Sequence, residues 1–175
     1  MSSDTQNLVT TQVHKVYIRA TAQAIWDAIT SAEWTARYGY GGYAHFDLTP
    51  GGTFIHNPDE PMIEASKTMG FPLPDVIIDG EVLEADAPLH LRITWRMLMD
   101  PSAAAEGFTV LSYDITEYDG FCSLAVTHEL EGKPHLALMV SGENGDPAAG
   151  GGGWPWILSD LKSLLETGHK MSDAT

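Results

Sequence analysis

The sequence has one cysteine and no long apolar run. Cys122 stands alone in a strand-like stretch, so neither a disulfide framework nor a thiolate metal cluster is available, and we predict a buried, inert thiol. No apolar segment approaches the roughly 20 residues that a membrane span requires. Residues 1–12 also lack the basic and apolar regions of a signal peptide. Together these absences predict a cytoplasmic protein without a membrane span.

Basic residues are scarce as well. Nine Lys and Arg stand against 24 Asp and Glu, which gives a formal net charge of -15. Because the few basic residues are scattered, no surface is expected to follow a phosphate backbone, and we predict no nucleic-acid partner. The 175 residues, of which 43% are hydrophobic, are enough for a sizeable core. We predict a single domain over residues 1–175, with an ordered core at about 10–168.

The first part of the chain has the pattern of one strand and two short helices. Residues 10–20 are rich in β-branched side chains and predict a strand. Thr21 offers an N-cap for a helix with apolar residues at helical spacing, and Ser31 offers a second cap for a helix through Tyr38. The hydrophobic period then changes to two, which predicts further strands at residues 43–48, 53–57, 76–84, 89–98, 108–118 and 122–130. The pair Asp119-Gly120 predicts a tight hairpin between the last two strands.

The chain closes with a long amphipathic helix. Pro155 suits its first turn, Gly168 suits its end, and one apolar stripe runs between them. That stripe comprises Ile157, Leu158, Leu161, Leu164 and Leu165. An amphipathic helix after a series of antiparallel strands needs the open face of the sheet as its partner. The predicted class is therefore α+β, with a curved antiparallel sheet of about six to seven strands wrapped around the C-terminal helix.

Two segments between these elements allow alternatives. Residues 58–75 contain four prolines and scattered apolar residues, and they form either a lid or binding element or a surface excursion packed on the sheet. Residues 131–153 form a second linker that leads into the closing helix. Its four glycines, 150–153, are either a neutral tether or a hinge that lets the helix rise from the sheet.

Six stretches in this order resemble one known superfamily. They are "VYIRATAQAIWDAIT", "WTARY", "TPGGTF", "GEVLEADAPLHLRITWRML", "LAVTHE" and "GGWPWILSDLKSLLETG". They resemble the SRPBCC superfamily of START-like helix-grip proteins. Within it, they are most similar to the branch named for activators of the ninety-kilodalton heat-shock chaperone's ATPase. The resemblance extends from Val16 to Gly168, although the 58–75 and 134–153 segments are longer than that branch's connections.

The resemblance implies an apolar cavity between the sheet and the closing helix. Members of the superfamily hold lipids, sterols, plant hormones or aromatic polyketides there. We therefore predict that the chain binds a hydrophobic small molecule, aromatic or polyketide-like. One alternative is a polyketide cyclase or aromatase-like enzyme of antibiotic biosynthesis, or a linked resistance protein. A second is a regulator of a chaperone ATPase that acts by contact with a protein partner, so enzyme status stays open.

Strand alternation and the helical stripe predict which side chains line this cavity. The predicted lining residues are Trp95, Met97, Leu111, Tyr113, Val126 and His128 from the strands, with Trp154, Ile157, Leu158 and Leu161 from the helix. An apolar chamber with a few polar groups is typical of a small-molecule site. His128, Tyr113 and Trp95 are the candidate polar groups. For His128 the alternative is a hydrogen-bonded core histidine that does not touch a ligand.

Catalytic and metal-binding motifs are missing. No GxSxG elbow, Walker loop or dinucleotide fingerprint occurs in the strand and helix setting it requires, so we predict no cofactor and assign no catalytic residue. A cyclase would need only modest acid or base help from residues such as His128, Tyr113 or Arg96. Pairing across the Thr49–Gly52 turn would place His45 opposite His56. Two imidazoles do not make a metal site, and we predict an outward, solvated pair without metal.

Overall fold

The computed structural model describes residues 10–143 and 145–171. Seven strands form an antiparallel sheet in the order β1-β7-β6-β5-β4-β3-β2. The strands are β1 (Thr11–Ile18), β2 (Tyr43–Phe46), β3 (Thr53–Asn57), β4 (Ile78–Asp86), β5 (His90–Met97), β6 (Thr109–Tyr118) and β7 (Phe121–Glu129). The helices are α1 (Ala22–Thr30), α2 (Ala32–Thr35), α3 (Glu60–Met69), α4 (Pro101–Ala105), α5 (Pro134–Ser141) and α6 (Gly153–Thr167). The predicted helix-grip α+β class is confirmed.

The two short helices after β1 form for different reasons. Thr21 caps α1 as predicted, because its hydroxyl accepts a hydrogen bond of 3.1 Å from the backbone N–H of Ala24. Ser31 is the N-cap residue of α2 as predicted, but its side chain makes no capping hydrogen bond. Ser31 also ends α1, donating its backbone N–H to the carbonyl of Asp27. Helix α2 is a single turn that ends at Thr35, three residues before the predicted end.

The β2–β3 hairpin differs from the predicted register by one residue. His45 lies opposite Ile55, and His56 lies opposite Ala44. Backbone pairing continues to Asp47, whose N–H donates to the carbonyl of Thr53, and this shifts the centre of the turn. A shift of one residue moves a side chain to the other face of the sheet. The predicted outward pair of histidines is therefore wrong, because His45 and His56 lie on opposite faces.

Residues 58–75 are not an irregular loop, because their central part is the ten-residue helix α3. Asp59 caps this helix by accepting the N–H of Met62 at 3.0 Å, and Gly70 ends it in a left-handed conformation. The four prolines lie in the first turn of α3 or outside it, where they do not interrupt the backbone hydrogen bonds. Helices α4 and α5 were likewise not predicted; α5 occupies part of the linker at 131–153.

The two ends of the sheet are built from different connections. In an antiparallel sheet the end of one strand lies beside the start of the next. One end, here called the turn end, carries the short turns at residues 47–52, 87–89 and 119–120. The other, here called the insertion end, carries α3, α4, α5 and the loop at residues 39–42. Helix α6 begins at the insertion end and reaches the turn end, where Glu166 accepts the N–H of Arg19 at 2.8 Å.

The core lies between one face of the sheet and α6. Most of the alternate residues of β5, β6 and β7 that face the core are buried, as the period of two predicts. The fully buried members are Leu91, Ile93, Leu111, Leu124 and Val126. Helix α6 covers them with its predicted stripe, of which Leu158, Leu161 and Leu164 are buried. Burial of this apolar surface is the main force that holds α6 against the sheet.

The glycine run before α6 is tightly packed in its second half. Gly153 has a φ of 56°, and a Cβ there would overlap the carbonyl oxygen of Val140 and lie 2.5 Å from the nitrogen of Gly142. At Gly152 a Cβ would lie 2.8 Å from the hydroxyl of Tyr40. These glycines permit α5 and α6 to cross closely, so neither a neutral tether nor a loose hinge describes them. Gly150, at the start of the run, has open space around it.

Candidate functional site

Four aromatic rings meet at the insertion end, between the sheet and the start of α6. Trp95 of β5, Tyr113 of β6, His128 of β7 and Trp154 of α6 supply them. Trp95 lies 5.1 Å from His128 and 6.4 Å from Trp154, measured between ring centroids. Tyr113 meets Trp154 edge to face at 6.2 Å, a favourable geometry for aromatic pairs. We call these four residues the aromatic cluster.

His128 is held at both ring nitrogens. The indole Nε1 of Trp154 donates to Nδ1 at 3.2 Å, while Nε2 lies 2.8 Å from the hydroxyl of Thr109. Thr109 donates its only hydroxyl hydrogen to the carbonyl of Trp95, at 2.8 Å. The hydrogen-bond network therefore assigns the ring proton to Nε2, with Nδ1 as the acceptor. No nitrogen of this imidazole is left for a ligand.

The protonation of His128 agrees with that network. Its side chain is 0% exposed, and burial together with the charge of nearby His14 lowers its pKa to about 3. Desolvation disfavours the imidazolium form, so the ring is neutral at physiological pH. This arrangement is that of a hydrogen-bonded core histidine. It lacks the pKa near neutrality and the free nitrogen that a general acid or base requires.

Tyr113 differs from His128 because its polar group has no hydrogen-bond partner among the described residues. Among the residues that the structure describes, none forms a hydrogen bond with its hydroxyl. The side chain nevertheless faces the interior, and burial raises the pKa of the phenol. It is only half-buried, so space remains beside it. Nearby Tyr38 donates to the carbonyl of Ala28 at 2.9 Å and is therefore satisfied. Tyr113 thus offers a donor deep in the molecule without an acceptor.

A second donor lacks an acceptor at the start of α6. Within residues 10–143 and 145–171, the buried indole Nε1 of Trp156 has no hydrogen-bond partner. Its ring stacks on Tyr40, with 6.3 Å between the centroids and 22° between the planes. The hydroxyl of Tyr40 donates to the carbonyl of Pro147 and accepts from the N–H of Gly152, both at 2.8 Å. Tyr40 therefore fixes the loop at residues 39–42 to the start of α6.

The buried carboxylates of this region are occupied by backbone groups. Asp59 accepts the N–H of Gly42 at 2.7 Å. Asp160, which is fully buried, accepts the N–H of Gly39 at 2.7 Å and that of Met171 at 2.6 Å. Charge-assisted bonds of this kind hold a glycine-containing loop in place. Both carboxylates therefore have a structural explanation that involves no bound ligand.

The ten residues predicted to line a cavity all lie between the sheet and α6. Seven of them are buried: Trp95, Leu111, Val126, His128, Trp154, Leu158 and Leu161. The other three, Met97, Tyr113 and Ile157, are partly buried and packed against the core. The prediction missed Thr109 and Trp156. Thr109 continues the inward alternation of Leu111 and Tyr113 by one step, so the pattern contained the signal for it.

One groove lies away from this region. It has a volume of about 460 Å³ and is lined entirely by residues between Pro58 and Asp75, among them Ile63, Phe71 and Leu73. It is formed by α3 and the proline-containing segment that follows. Residues 58–75 were predicted to form a lid or a surface excursion. In the structure, this segment encloses a groove of its own.

A seven-stranded antiparallel sheet closed by a C-terminal helix defines a helix-grip protein. Residues 19–166 match the family model described as "Activator of Hsp90 ATPase homolog 1-like protein". The chain belongs to this family. None of the helices that the structure describes is long and apolar enough to cross a membrane.

Several solved structures share the fold. CalU16 from Micromonospora echinospora has a TM-score of 0.62 and 14% identity, covering 93% of this chain and 78% of its own. The Aha1 dimer from Colwellia psychrerythraea has a TM-score of 0.56 and 15% identity, covering 90% and 97%. DynU16, a protein in the dynemicin biosynthetic locus, has a TM-score of 0.60 and 19% identity, covering 92% and 49%. A search of the curated proteins returned no match.

Proposed function

We propose that this protein binds a neutral hydrophobic small molecule, aromatic or polyketide-like, between the sheet and α6 at the insertion end. The observation that carries the proposal is the hydroxyl of Tyr113, which belongs to a partly buried ring of the aromatic cluster and makes no hydrogen bond to the described residues. An intramolecular hydrogen bond contributes about 0.5–1.5 kcal/mol net. A ligand oxygen that accepts from this hydroxyl would gain a contribution of that size.

The surroundings of Tyr113 favour an aromatic ligand. Trp154 presents its ring to Tyr113 edge to face, and Trp95 lies beside Trp154. Aromatic rings in offset or edge-to-face arrangements contribute about 0.5–1.5 kcal/mol beyond the area they bury. A planar aromatic molecule would extend this cluster with the same contacts.

The charges of the region favour a neutral ligand. His128 is uncharged, and Asp160 already accepts two backbone hydrogen bonds. Taking an unpaired ionic group out of water is strongly unfavourable. Beside the aromatic cluster, the described residues offer no unpaired charge to a carboxylate or ammonium ligand. The best match is an uncharged aromatic compound with a carbonyl oxygen.

Binding without turnover is the form of the function that the site supports best. The cyclase alternative would use His128, Tyr113 or Arg96 for acid or base help. Both nitrogens of His128 are occupied and its pKa is about 3, burial raises the pKa of Tyr113, and Arg96 is paired with Asp79. The fold neighbour DynU16 comes from the dynemicin biosynthetic locus, which agrees with a small-molecule role. We infer that the chain holds or carries its ligand.

Two probes with the same rings test this proposal. Flavone is a neutral aromatic ketone, whereas flavan lacks its carbonyl oxygen, and tryptophan fluorescence reports the entry of either compound. We expect flavone to quench the fluorescence saturably. Tyr113→Phe should weaken flavone binding by about 3- to 10-fold through loss of one hydrogen bond, and leave flavan binding unchanged.

The matched control is Tyr118→Phe, which removes a hydroxyl from the same strand at the exposed turn end. It should change neither affinity. Absence of saturable quenching by both probes would overturn the proposal. Equal weakening of flavone and flavan by Tyr113→Phe would remove the assigned role of the hydroxyl.

A further inference from the structure

The groove formed by α3 and the segment after it is lined mainly by apolar side chains. Its volume of about 460 Å³ falls within the range of about 300–1,000 Å³ that is usual for binding pockets. Ile63, Phe71 and Leu73 supply the apolar lining together with three prolines. Phe71 is 67% exposed, so the groove presents apolar surface to water.

Exposed apolar surface continues beyond the groove. Met69, the last residue of α3, is 67% exposed and precedes the lining residue Gly70. An exposed apolar patch on a protein surface commonly marks a binding site. A small molecule confined to the groove would leave Met69 exposed, whereas an extended peptide can cover both Met69 and Phe71. The distribution of apolar side chains therefore favours a peptide.

The segment after α3 offers hydrogen-bond acceptors to such a peptide. Pro72 and Pro74 have no backbone N–H, and within the described ranges residues 72–74 make no backbone hydrogen bond. Three carbonyl groups are therefore open to a partner, but only Leu73 carries a backbone donor. Because proline fixes φ, this segment has little conformational freedom to lose on binding. Residues 72–74 thus suit a partner that is rich in N–H donors.

The charges around the groove are complementary to a cation. Residues 38–91 contain nine Asp and Glu, whereas Lys67 is their only Lys or Arg. Lys67 is already paired with Glu64 at 3.4 Å. The carboxylate of Asp75, which lines the groove, forms no hydrogen bond or ion pair with the described residues. Lysine and arginine carry both the positive charge and the N–H donors that this side of the groove can accept.

We propose that this groove docks a peptide segment of a partner protein, in which a bulky apolar side chain lies beside lysine or arginine. The apolar side chain contacts Ile63 and Phe71, and the cation faces Asp75 and the carbonyl groups of residues 72–74. This docking site is separate from the aromatic cluster, so it does not depend on the proposed small-molecule function.

Three fluorescein-labelled heptapeptides test the chemistry of the partner, with fluorescence anisotropy measured on the full chain. KLKFKLK has both apolar and basic residues, KSKSKSK lacks the apolar residues, and ELEFELE lacks the basic ones. We expect KLKFKLK to bind about tenfold more tightly than either of the others, because each of those lacks one of the two interactions. Equal affinity for KLKFKLK and KSKSKSK would indicate attraction by charge alone and overturn the proposal, as would absence of KLKFKLK binding.

Two matched pairs of variants test the location. Phe71→Ser should weaken KLKFKLK binding about tenfold through lost apolar contact, whereas Phe121→Ser at the turn end should leave it unchanged. Asp75→Asn should weaken it about threefold, whereas Asp119→Asn, which removes the same charge from the turn between β6 and β7, should not. Phe71 is exposed, so its variant is expected to fold, which a thermal melt would establish. Equal losses in a groove variant and its control would overturn the assigned location.

Two further measurements on the unmodified protein separate a peptide from a small amine. In an NMR titration with KLKFKLK, the methyl signal of Met69 should shift, while that of Met139 on α5 stays in place. Phenethylamine has an aromatic ring and a cation but no peptide backbone, and at equal concentration it should not displace KLKFKLK. Displacement by phenethylamine, or an unshifted Met69 signal at saturation, would overturn the assignment of a peptide partner to this groove.

Discussion

Two groups of aromatic side chains at opposite ends of the sheet differ in their burial. At the turn end, Tyr17, Tyr118 and Phe121 are exposed, and Tyr118 stacks on Phe121 with 5.0 Å between centroids. At the insertion end, Trp95 and Trp154 are buried between the sheet and α6. Short turns leave the first group uncovered, whereas inserted helices cover the second. The longer connections at the insertion end therefore accompany a greater burial of these rings.

Two histidines show the same contrast in their pKa values. Partial burial lowers the pKa of His90 at the turn end, but its hydrogen bonds to Asp114 (2.7 Å) and Glu84 (2.8 Å) outweigh this and raise it. Burial lowers the pKa of His128 at the insertion end to about 3. Water and carboxylates reach the first imidazole, while the second is surrounded by aromatic and apolar groups. The imidazole of His128 is therefore less accessible to water than that of His90.

The largest expected effect on folding stability comes from replacing a glycine by alanine, which we compare at the insertion end and at the turn end of the sheet. Gly153→Ala adds both a left-handed non-glycine residue and an overlap with the carbonyl of Val140. We expect it to lower the free energy of unfolding by more than about 3 kcal/mol in urea titrations. Gly120→Ala at the turn end has the strained φ but nothing within 4 Å, and about 1–2 kcal/mol is expected.

Gly150→Ala is the control within the glycine run itself. It has a φ of 96° and open space, so it should behave like the turn-end variant. Equal losses for Gly150→Ala and Gly153→Ala would contradict the close crossing of α5 and α6. A hinge that tolerates alanine throughout residues 150–153 would give that result.

The next effect concerns the loss of folding stability that His128 causes in acid. Its folded pKa of about 3 lies below the ordinary histidine value of 6.5, so between these values the unfolded chain binds the proton and the folded chain does not. Stability should therefore fall as the pH drops through this window, by up to about 1.4 kcal/mol per pH unit. His128→Leu should reduce this slope in urea titrations between pH 6 and pH 4.

His14 and His56 also have pKa values lowered mainly by burial, so they contribute slopes of the same sign. The difference between the unmodified protein and His128→Leu isolates the one imidazole. Identical slopes in the two proteins would show that His128 can take up its proton while the chain is folded. His128→Leu should also be less stable at pH 7, because the indole N–H of Trp154 loses its acceptor.

The smallest effect is expected at His90. Its raised pKa contributes stability that is fully present below the unfolded value of 6.5 and is lost as the pH rises through the folded value. His90→Gln should remove this alkaline loss and change stability by less than about 1 kcal/mol, because Glu84 and Asp114 are both more than half exposed. The direction is opposite to that of His128. A decrease of the acid-side slope in His90→Gln would contradict the contrast between the two ends.

The predictable parts of the molecule are those with a local repeat. The period of two in β5, β6 and β7 and the stripe of α6 placed the inward side chains correctly, Leu111 and Leu161 among them. Helix α3 was not predicted because four prolines lie in its first turn or beside it, and proline usually indicates a loop. The helix is nevertheless capped by Asp59. The β2–β3 register was missed because the turn could close at either of two adjacent residues, and only pairing at Asp47 decides between them.

The candidate site likewise has features that a local pattern predicts and features that it does not. Local sequence patterns establish which side chains face the interior, since neighbours two or three to four residues apart along the chain share a face. Which of those groups have hydrogen-bond partners depends on contacts formed in the folded molecule. His128 is satisfied by Thr109 and Trp154, whereas Tyr113 is left without an acceptor among the described residues. A hydrogen bond between groups far apart in sequence depends on strand register and helix placement, and no local pattern specifies both.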